Sequence, residues 1–221
     1  MALTTYAELK AAVADWAWGE VTEAQVAADL LPQVQSKMYH GDGDGRDGLV
    51  QIKPLRVRAM ISSGTLTPSA SGQVTISTGV NSGWLEFVEI RPTTSYTRAL
   101  QYLEPWEFYR RPELQVAGPP DYYTIEGDTL YTGPYSSSTL TAIWYQKFTA
   151  LSGSSDTDWA LTNAPQIYLN GCLMEACAYL QDEREASFRA KFAAAIAGAN
   201  INNRVGRASG SPMRAIPRSI A

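Results

Sequence analysis

The chain has 221 residues, of which 45% are hydrophobic and 18% charged; this is enough apolar material for a buried core and excludes a chain that is disordered throughout. The formal net charge is −4, and no run of about 18 apolar residues could cross a membrane as a helix. The first residues lack the basic segment of a signal peptide, so we expect synthesis in the cytoplasm.

Two helices are predicted at the start of the chain, over residues 5–18 and 22–38. Thr4 or Thr5 caps the first helix, because Glu8 follows at capping-box spacing. Thr22 is the candidate N-cap of the second helix. Pro32 is expected to kink that helix, because proline has no amide hydrogen and crowds the preceding turn.

A loop follows over residues 40–48, which contain four glycines. Its Asp-Gly repeats are similar to a calcium-binding loop. If Asp42 were the first ligand, however, Arg46, Asp47 and Lys53 would occupy the fifth, sixth and twelfth positions. Those positions require an oxygen ligand, Gly and Glu. The segment therefore predicts a loop and no metal site.

Strand patterns occupy the middle of the chain, from about residue 50 to 150. The predicted strands are 73–77, 84–90, 122–125, 129–132 and 140–148, with a short helix at 103–111. Glu126-Gly127-Asp128 is a tight-turn signal between two of these strands. We predict an antiparallel β-rich subdomain here.

Helices return over residues 160–203, and Pro165 suits the first turn of one of them. The expected apolar stripes are Leu169, Leu173, Ala176 and Leu180 in one helix and Phe188, Phe192, Ala195 and Ala199 in the next. The predicted fold class is α+β: a helical bundle built from both chain ends, with the β-rich insertion between them. Residues 1–203 are interpreted as one domain.

The last segment, residues 204–221, carries four arginines and no acid, so residues 1–203 have a formal charge of −4 − 4 = −8. An acidic body with a basic terminal arm is typical of an interaction segment. Apolar residues are spaced among the arginines, which suits folding onto a partner. The candidate docking residues are Arg204, Arg207, Arg214, Ile216 and Arg218.

No residue pattern predicts catalysis or a cofactor. His40 is the only histidine and lies in the glycine-rich loop, so a Ser–His or Cys–His site would have no rigid base. Cys172 and Cys177 are five residues apart within a predicted helix, and we expect no disulfide between them. The acidic residues of the β region have no spacing that singles out a pair.

Aromatic residues are concentrated in the β region. The sequence leaves three interpretations of these aromatic residues open: they fill a sheet core, form a protein interface, or stack on sugars. Trp84, Trp106 and Tyr109 are the candidate subunit interface. Trp84 and Trp144 are the candidates for the sugar-binding alternative.

Several segments resemble the head-to-tail adaptor (connector) proteins of tailed bacteriophages. The most specific is residues 159–180, WALTNAPQIYLNGCLMEACAYL, which has the family's Trp, Leu-Thr-Asn-x-Pro and Tyr-Leu pattern before an acidic turn. Residues 120–134, PDYYTIEGDTLYTGP, are similar to its hairpin. The segments Tyr6-Ala-Glu-Leu and Leu55-Arg-Val-Arg-Ala-Met60 also match in order, whereas the loop at 40–53 departs from the family pattern.

The resemblance implies a virion protein of the phage neck that is not an enzyme. It implies a ring of this chain, expected to be a dodecamer, beneath the portal protein. Such a ring would extend the DNA channel, let DNA pass without specific binding, and offer a platform to tail or neck proteins. The C-terminal segment would reach the portal, and no membrane is involved. The alternatives are another ring of the neck or tail tube, such as a tail terminator, and a phage carbohydrate-binding protein.

Overall fold

The computed structural model describes residues 3–43, 50–80, 83–93 and 98–207. These residues form an α+β protein, as the sequence predicts, with strands between two groups of helices. The chain divides into two compact units. We call Met1–Ala59 with Thr149–Ala221 the helical unit, and Met60–Phe148 the β unit.

The helices and strands are numbered here in chain order. The helices are α1 (Tyr6–Trp16), α2 (Glu23–Gln25), α3 (Leu31–His40), α4 (Ile76–Gly79), α5 (Pro105–Tyr109), α6 (Trp159–Asn163), α7 (Gln166–Leu180) and α8 (Glu185–Arg207). The strands are β1 (Ile61–Leu66), β2 (Gln73–Thr75), β3 (Trp84–Pro92), β4 (Gln101–Tyr102), β5 (Tyr122–Glu126), β6 (Thr129–Gly133) and β7 (Leu140–Gln146).

Helix α1 begins with the predicted capping box. The Glu8 amide donates to Thr5 Oγ1 at 3.3 Å, and the Thr5 amide donates to Glu8 Oε2 at 3.0 Å. After α1 ends, Trp18 has a left-handed backbone with φ 54°, and Gly19 follows at φ 74°. Glycine adopts this region freely, but a bulky residue there is strained. Other contacts must therefore hold Trp18 in place.

The second predicted helix has an irregular interior. Thr22 caps it with both hydrogen bonds of a capping box, and the π-helical segment Val26–Leu30 then joins α2 to α3. Pro32 lies in the first turn of α3. Because its ring crowds the preceding turn and it donates no hydrogen bond, a wider turn just before it relieves the conflict. The sequence analysis placed His40 in the glycine-rich loop. In the structure, His40 is instead the last residue of α3.

Helix α7 is the centre of the helical unit and packs against α1, α3, α6 and α8. Every residue from Gly171 to Cys177 is buried, so the helix has no single apolar stripe in this stretch. Leu169 and Leu180, two of the four predicted stripe residues, are only half-buried. A Cβ added at Gly171 would lie 2.5 Å from Val34 Cγ1, which shows how closely α3 approaches. A helix enclosed on all sides gives no periodic signal, which explains the incomplete prediction.

Helix α8 packs along α7 and buries Phe192, Ile196 and Ala199. The predicted stripe was partly wrong, because it omitted Ile196 and included Phe188 and Ala195, which are half-buried. The helix also continues through Arg207 rather than ending near residue 203.

The two sides of the glycine-rich loop are joined at its base. The Ile52 amide donates to Asp42 Oδ1 at 2.8 Å, and the Asp42 carboxylate forms an ion pair with Arg189 of α8. Arg189 Nε also donates to the Val50 carbonyl at 3.0 Å. The predicted loop residues 44–48 lie outside the described part of the chain.

The β unit contains two sheets. The first has the antiparallel order β1–β7–β3, with β7 in the centre. The second has the order β2–β6–β5–β4, in which β4 and β5 are parallel. The predicted subdomain is therefore mixed rather than wholly antiparallel. Strand β1 was missed, because its sequence ISSGTL carries only two large apolar residues, one at each end.

The predicted hairpin is confirmed. Glu126 of β5 pairs with Thr129 of β6, and Gly127 supplies the positive φ of the turn. Asp128 in the same turn accepts hydrogen bonds from the Ile76 and Ser77 amides at 2.8 and 3.1 Å. These bonds turn the chain into α4, so the predicted strand 73–77 ends at Thr75.

One apolar core holds the β unit together. Its buried members are Leu66, Ile76, Val80, Ile90, Leu100, Leu130, Leu140, Ala142 and Trp144. Alternate residues of β7 enter this core, as expected for a strand with one buried face.

Candidate assembly surfaces

The predicted interface aromatics of the β unit differ in exposure. Trp106 and Tyr109 lie one turn apart on α5, and 62% of Trp106 is exposed. The helix is anchored by Phe108, which is fully buried and therefore directs its neighbours outward. Trp84 is half-buried against the core, with its ring 5.2 Å from that of Phe87. Trp106 and Tyr109 can thus meet a partner, whereas Trp84 mainly packs within the β unit.

Neighbouring side chains fix the exposed aromatics of α5. The Tyr109 ring lies 6.5 Å from the Tyr131 ring, and the Arg110 guanidinium lies 5.9 Å from the Trp106 ring. Burial, with a hydrogen bond to Glu126 adding to it, raises the pKa of Tyr109 to about 12. The hydroxyl is therefore a neutral donor at physiological pH. Aromatic rings with a polar group at one end are typical of protein interfaces.

The sugar-binding candidates are not both accessible. Trp144 is buried in the core of the β unit, with its indole facing no solvent, and Trp84 is half-buried. A ring that stacks on a sugar needs an open face. The residues that the sequence nominated therefore do not form an exposed stacking platform.

The predicted docking tail is described only at its start. Arg204 and Arg207 belong to α8, but their side chains lie outside the described residues. Arg214, Ile216 and Arg218 lie in residues 208–221, also outside them. The contacts of the tail stay a prediction.

A cleft in the helical unit was not predicted from the sequence. It has a volume of about 1210 Å³ and lies between the start of α7 and one face of α8. Small residues of α8 line one side, including Ala194, Ala195 and Gly198. Trp16, Pro165 and Leu169 contribute to the other sides. The cleft is therefore broad and partly apolar.

The rim of this cleft is basic and amide-rich. Arg58 and Lys191 are both exposed, and none of the described residues that line the cleft is acidic. The Arg58 amide donates to Asn203 Oδ1 at 2.7 Å, and the Arg56 amide donates to Asn200 Oδ1 at 2.8 Å. These bonds tie the segment before the β unit to α8, which fixes this edge of the cleft.

Two further exposed aromatics of the helical unit do not line the cleft: Trp18 and Tyr179, at 62% and 71% exposure. Val21, three residues after Trp18, lines a hollow together with Tyr179. We call Trp18 and Tyr179 the knob. The Arg184 guanidinium lies 3.5 Å from the Trp18 ring centroid. Asp182 holds that guanidinium by an ion pair and accepts from the Arg184 amide at 2.9 Å. Hydrogen bonding to Arg184 lowers the pKa of Asp182 to about 2.

The exposure of the knob was not predicted from the sequence. Tyr179 lies three residues after Ala176 and directly before Leu180 of the predicted stripe, so helical periodicity does not mark it as exposed. Trp18 follows the end of α1, where the stripe no longer applies.

The structure describes the two cysteines and the one histidine of the chain. Burial raises the pKa of Cys172 to about 12, so its thiol stays protonated, and Cys177 is also buried as a free cysteine. His40 is exposed at the end of α3. Within the described ranges, no cluster of three acidic, His or Cys side chains could hold a metal ion. No helix of the same residues is long and apolar enough to cross a membrane.

Comparison with known proteins gives one result. A family model described as SU10 adaptor protein matches residues 4–216. No curated protein matches the chain.

Proposed function

Because the chain belongs to the SU10 adaptor protein family, a family of phage head-to-tail adaptors, we propose that it assembles into a ring beneath the portal protein. The family match confirms the resemblance seen in the sequence, and the chain is a structural protein of the phage virion. Its place is the neck, where adaptors meet portal and tail proteins. A structural role accounts for the chain without catalysis or a cofactor.

The observation that carries this proposal is the extent of the match. It spans both compact units and reaches residue 216, within the basic C-terminal segment. The shared pattern therefore includes the arm as well as the folded body. We propose that residues 204–221 dock onto the portal through their arginines and through Ile216, and that the ring is a dodecamer.

The charge distribution supports a channel role for the ring. Residues 1–203 have a formal charge of −8, and the last segment has +4. An acidic wall repels phosphates and lets DNA pass, whereas basic side chains bind them. We propose that the body extends the DNA channel and that the opposite rim offers the platform for tail or neck proteins.

The exposed aromatics of α5 support subunit contact. Trp106 and Tyr109 are presented by a helix anchored through Phe108 and lie beside Arg110. Aromatic residues and Arg are enriched at the centres of interfaces. We propose that these two residues contribute to contacts within the ring, and that the half-buried Trp84 is a further candidate for such contacts.

Deletion of residues 208–221 tests the docking arm. The cut lies after the last residue of α8, so the folded units keep their helices. We expect the truncated protein to lose co-sedimentation with purified portal while its circular dichroism and melting temperature stay unchanged. A matched full-length variant carrying R214E and R218E should show the same loss, because it keeps the chain length and reverses only charge.

Undiminished portal binding by both variants would contradict docking through the arm. Electron microscopy of the assembled neck separates an adaptor from a tail terminator, because only the adaptor ring contacts the portal directly.

A further inference from the structure

Helix α7 carries different surface features on its two opposite faces. Gln166, Leu169 and Asn170 line the cleft at its start. Ala178 and Tyr179 near its end line a separate hollow of about 380 Å³, together with Val21. At about 100° per residue, these two sets lie about half a turn apart around the helix axis. The cleft and the exposed Tyr179 therefore lie on opposite faces of α7.

Opposite, unlike surfaces are what a cyclic ring requires. Each subunit of a ring contacts the next through a heterologous interface, in which one patch meets a different patch of the neighbour. The exposed Tyr179 on one face of α7 and the cleft on the other satisfy this condition within a single chain.

The Trp18 side chain of the knob is fixed by its neighbours before any partner binds. Trp18 has a strained left-handed backbone, yet its ring is fixed under Arg184, whose own position is set by Asp182. Strain at a bulky residue persists only where surrounding contacts maintain it. Trp18 therefore loses little side-chain freedom when a partner binds it, which favours affinity.

The charges around the two surfaces are complementary. Glu20 and Glu183 are exposed, and Glu20 lies close enough to Arg184 to affect its pKa. Together with Asp182, these acids outnumber the Arg184 cation among the described residues next to Trp18, which makes the surroundings of Trp18 net negative. The cleft has Arg58 and Lys191 on its rim and no acid among its described lining residues. Complementary charge sets the orientation of two surfaces that meet.

We propose that Trp18 and Tyr179 of one subunit insert into the cleft of the next copy of this chain, forming a contact between neighbours in the ring. The proposal rests on the ring of the proposed function and adds the surfaces that join its subunits. The small residues Ala194, Ala195 and Gly198 leave room for the two rings. Buried aromatics of this size remove on the order of 150–250 Å² each from water, and Trp and Tyr dominate interface hot spots.

Cross-linking of paired cysteines tests the direction of the contact. The full chain carries A178C, beside the intact Tyr179, and A194C in the cleft, both at exposed positions, and is assembled with portal before addition of a short flexible bis-maleimide. The native cysteines are buried and do not compete. We expect a ladder of covalent oligomers up to the closed ring.

Single-cysteine chains supply the controls. Either variant alone should stay monomeric on a denaturing gel, and a mixture of the two should give dimers only. Dimers from one single-cysteine chain alone would show a symmetric contact and overturn the proposal. A fully assembled ring that yields no cross-link would also overturn it.

A truncation of the knob measures its contribution. W18A should raise the concentration for half-maximal ring assembly by at least about tenfold, as expected for a hot-spot residue. Ile201 is 60% exposed and does not line the cleft, so I201A is the matched control and should assemble as the wild type does. Ring mass is read by analytical ultracentrifugation.

The outcomes separate this proposal from the proposed function. If the wild-type chain forms no ring with portal, the proposed function fails. If the wild type forms rings and W18A forms them at the same concentration, the knob contact alone fails. A monomeric W18A that still binds portal through its arm supports both.

Discussion

The helical unit and the β unit differ in how they bury polar groups. In the helical unit, Lys37 Nζ lies 2.6 Å from Glu175 Oε1, and the Tyr168 hydroxyl donates to Asp158 Oδ2 at 2.5 Å. In the β unit, three buried polar atoms have no hydrogen-bond partner among the described residues: Trp84 Nε1, Thr124 Oγ1 and Trp144 Nε1.

The two units are therefore stabilised by different kinds of interaction. Paired polar groups fix one arrangement of α3, α6 and α7, because an unpaired buried charge is costly. The β unit relies on apolar packing, which tolerates an occasional unpaired hydroxyl or indole at a smaller cost. The helical unit should therefore be the more sensitive to loss of a single polar partner, and the following predictions test that contrast.

The largest effect is expected from K37M. It leaves the Glu175 carboxylate, only 6% exposed, without its partner inside the helical unit. We expect a loss of about 3 kcal/mol of stability, typical of a broken buried pair. Hydrogen exchange of the α7 amides measures it locally. The double variant K37M/E175L should recover most of the loss, because no charge remains buried. Unchanged exchange in K37M would show that the pair contributes nothing.

A smaller effect of opposite sign is expected in the β unit from T124V. Thr124 is fully buried and its hydroxyl lacks a partner, so replacing it with a methyl group should stabilise the protein by about 1 kcal/mol. Thr132 on the adjacent strand is equally buried, but its Oγ1 donates to the Gly72 carbonyl at 3.2 Å.

T132V is therefore the matched control. It should destabilise by about 1 kcal/mol, since it removes a hydrogen bond that is made. Hydrogen exchange of the β5 and β6 amides reports both changes. Equal effects of the two variants would mean that the state of the hydroxyl does not matter in this unit.

The smallest effect is a pH dependence of stability from Asp182, the partner of Arg184 beside the knob. Arg184 lowers the pKa of Asp182 from 3.8 to about 2. The Asp182 carboxylate therefore contributes its full stabilisation above the pKa of the unfolded chain, 3.8, and loses it as the pH falls through the pKa of the folded protein, about 2. The difference in free energy of unfolding between wild type and D182N should therefore shrink as the pH is lowered from 3.8 to about 2. E183Q, a neighbouring loss of one negative charge, is the control. Titration of the Asp182 carboxyl carbon by NMR gives the midpoint, and a midpoint near 3.8 would show that Arg184 does not hold it.

The candidate surfaces were only partly predictable. Trp106 and Tyr109 were chosen because aromatics were concentrated there, and both are exposed on α5. Trp84 was chosen on the same grounds but is half-buried. Composition marks an aromatic-rich region, whereas the exposure of each ring depends on which neighbours pack over it.

The sequence by itself determined the features whose hydrogen bonds close within a few residues. The capping boxes at Thr5 and Thr22 and the turn at Gly127 belong to this group. The α+β class also followed, because helical and strand periodicities are local.

Only the tertiary structure decided which distant segments meet. It placed β7 between β1 and β3, paired β4 with β5 in parallel, and enclosed α7 so completely that its stripe disappeared. It also placed Tyr179 and the cleft on opposite faces of α7. The physical reason is that pairing and burial depend on contacts between residues far apart in the chain, which no local pattern records.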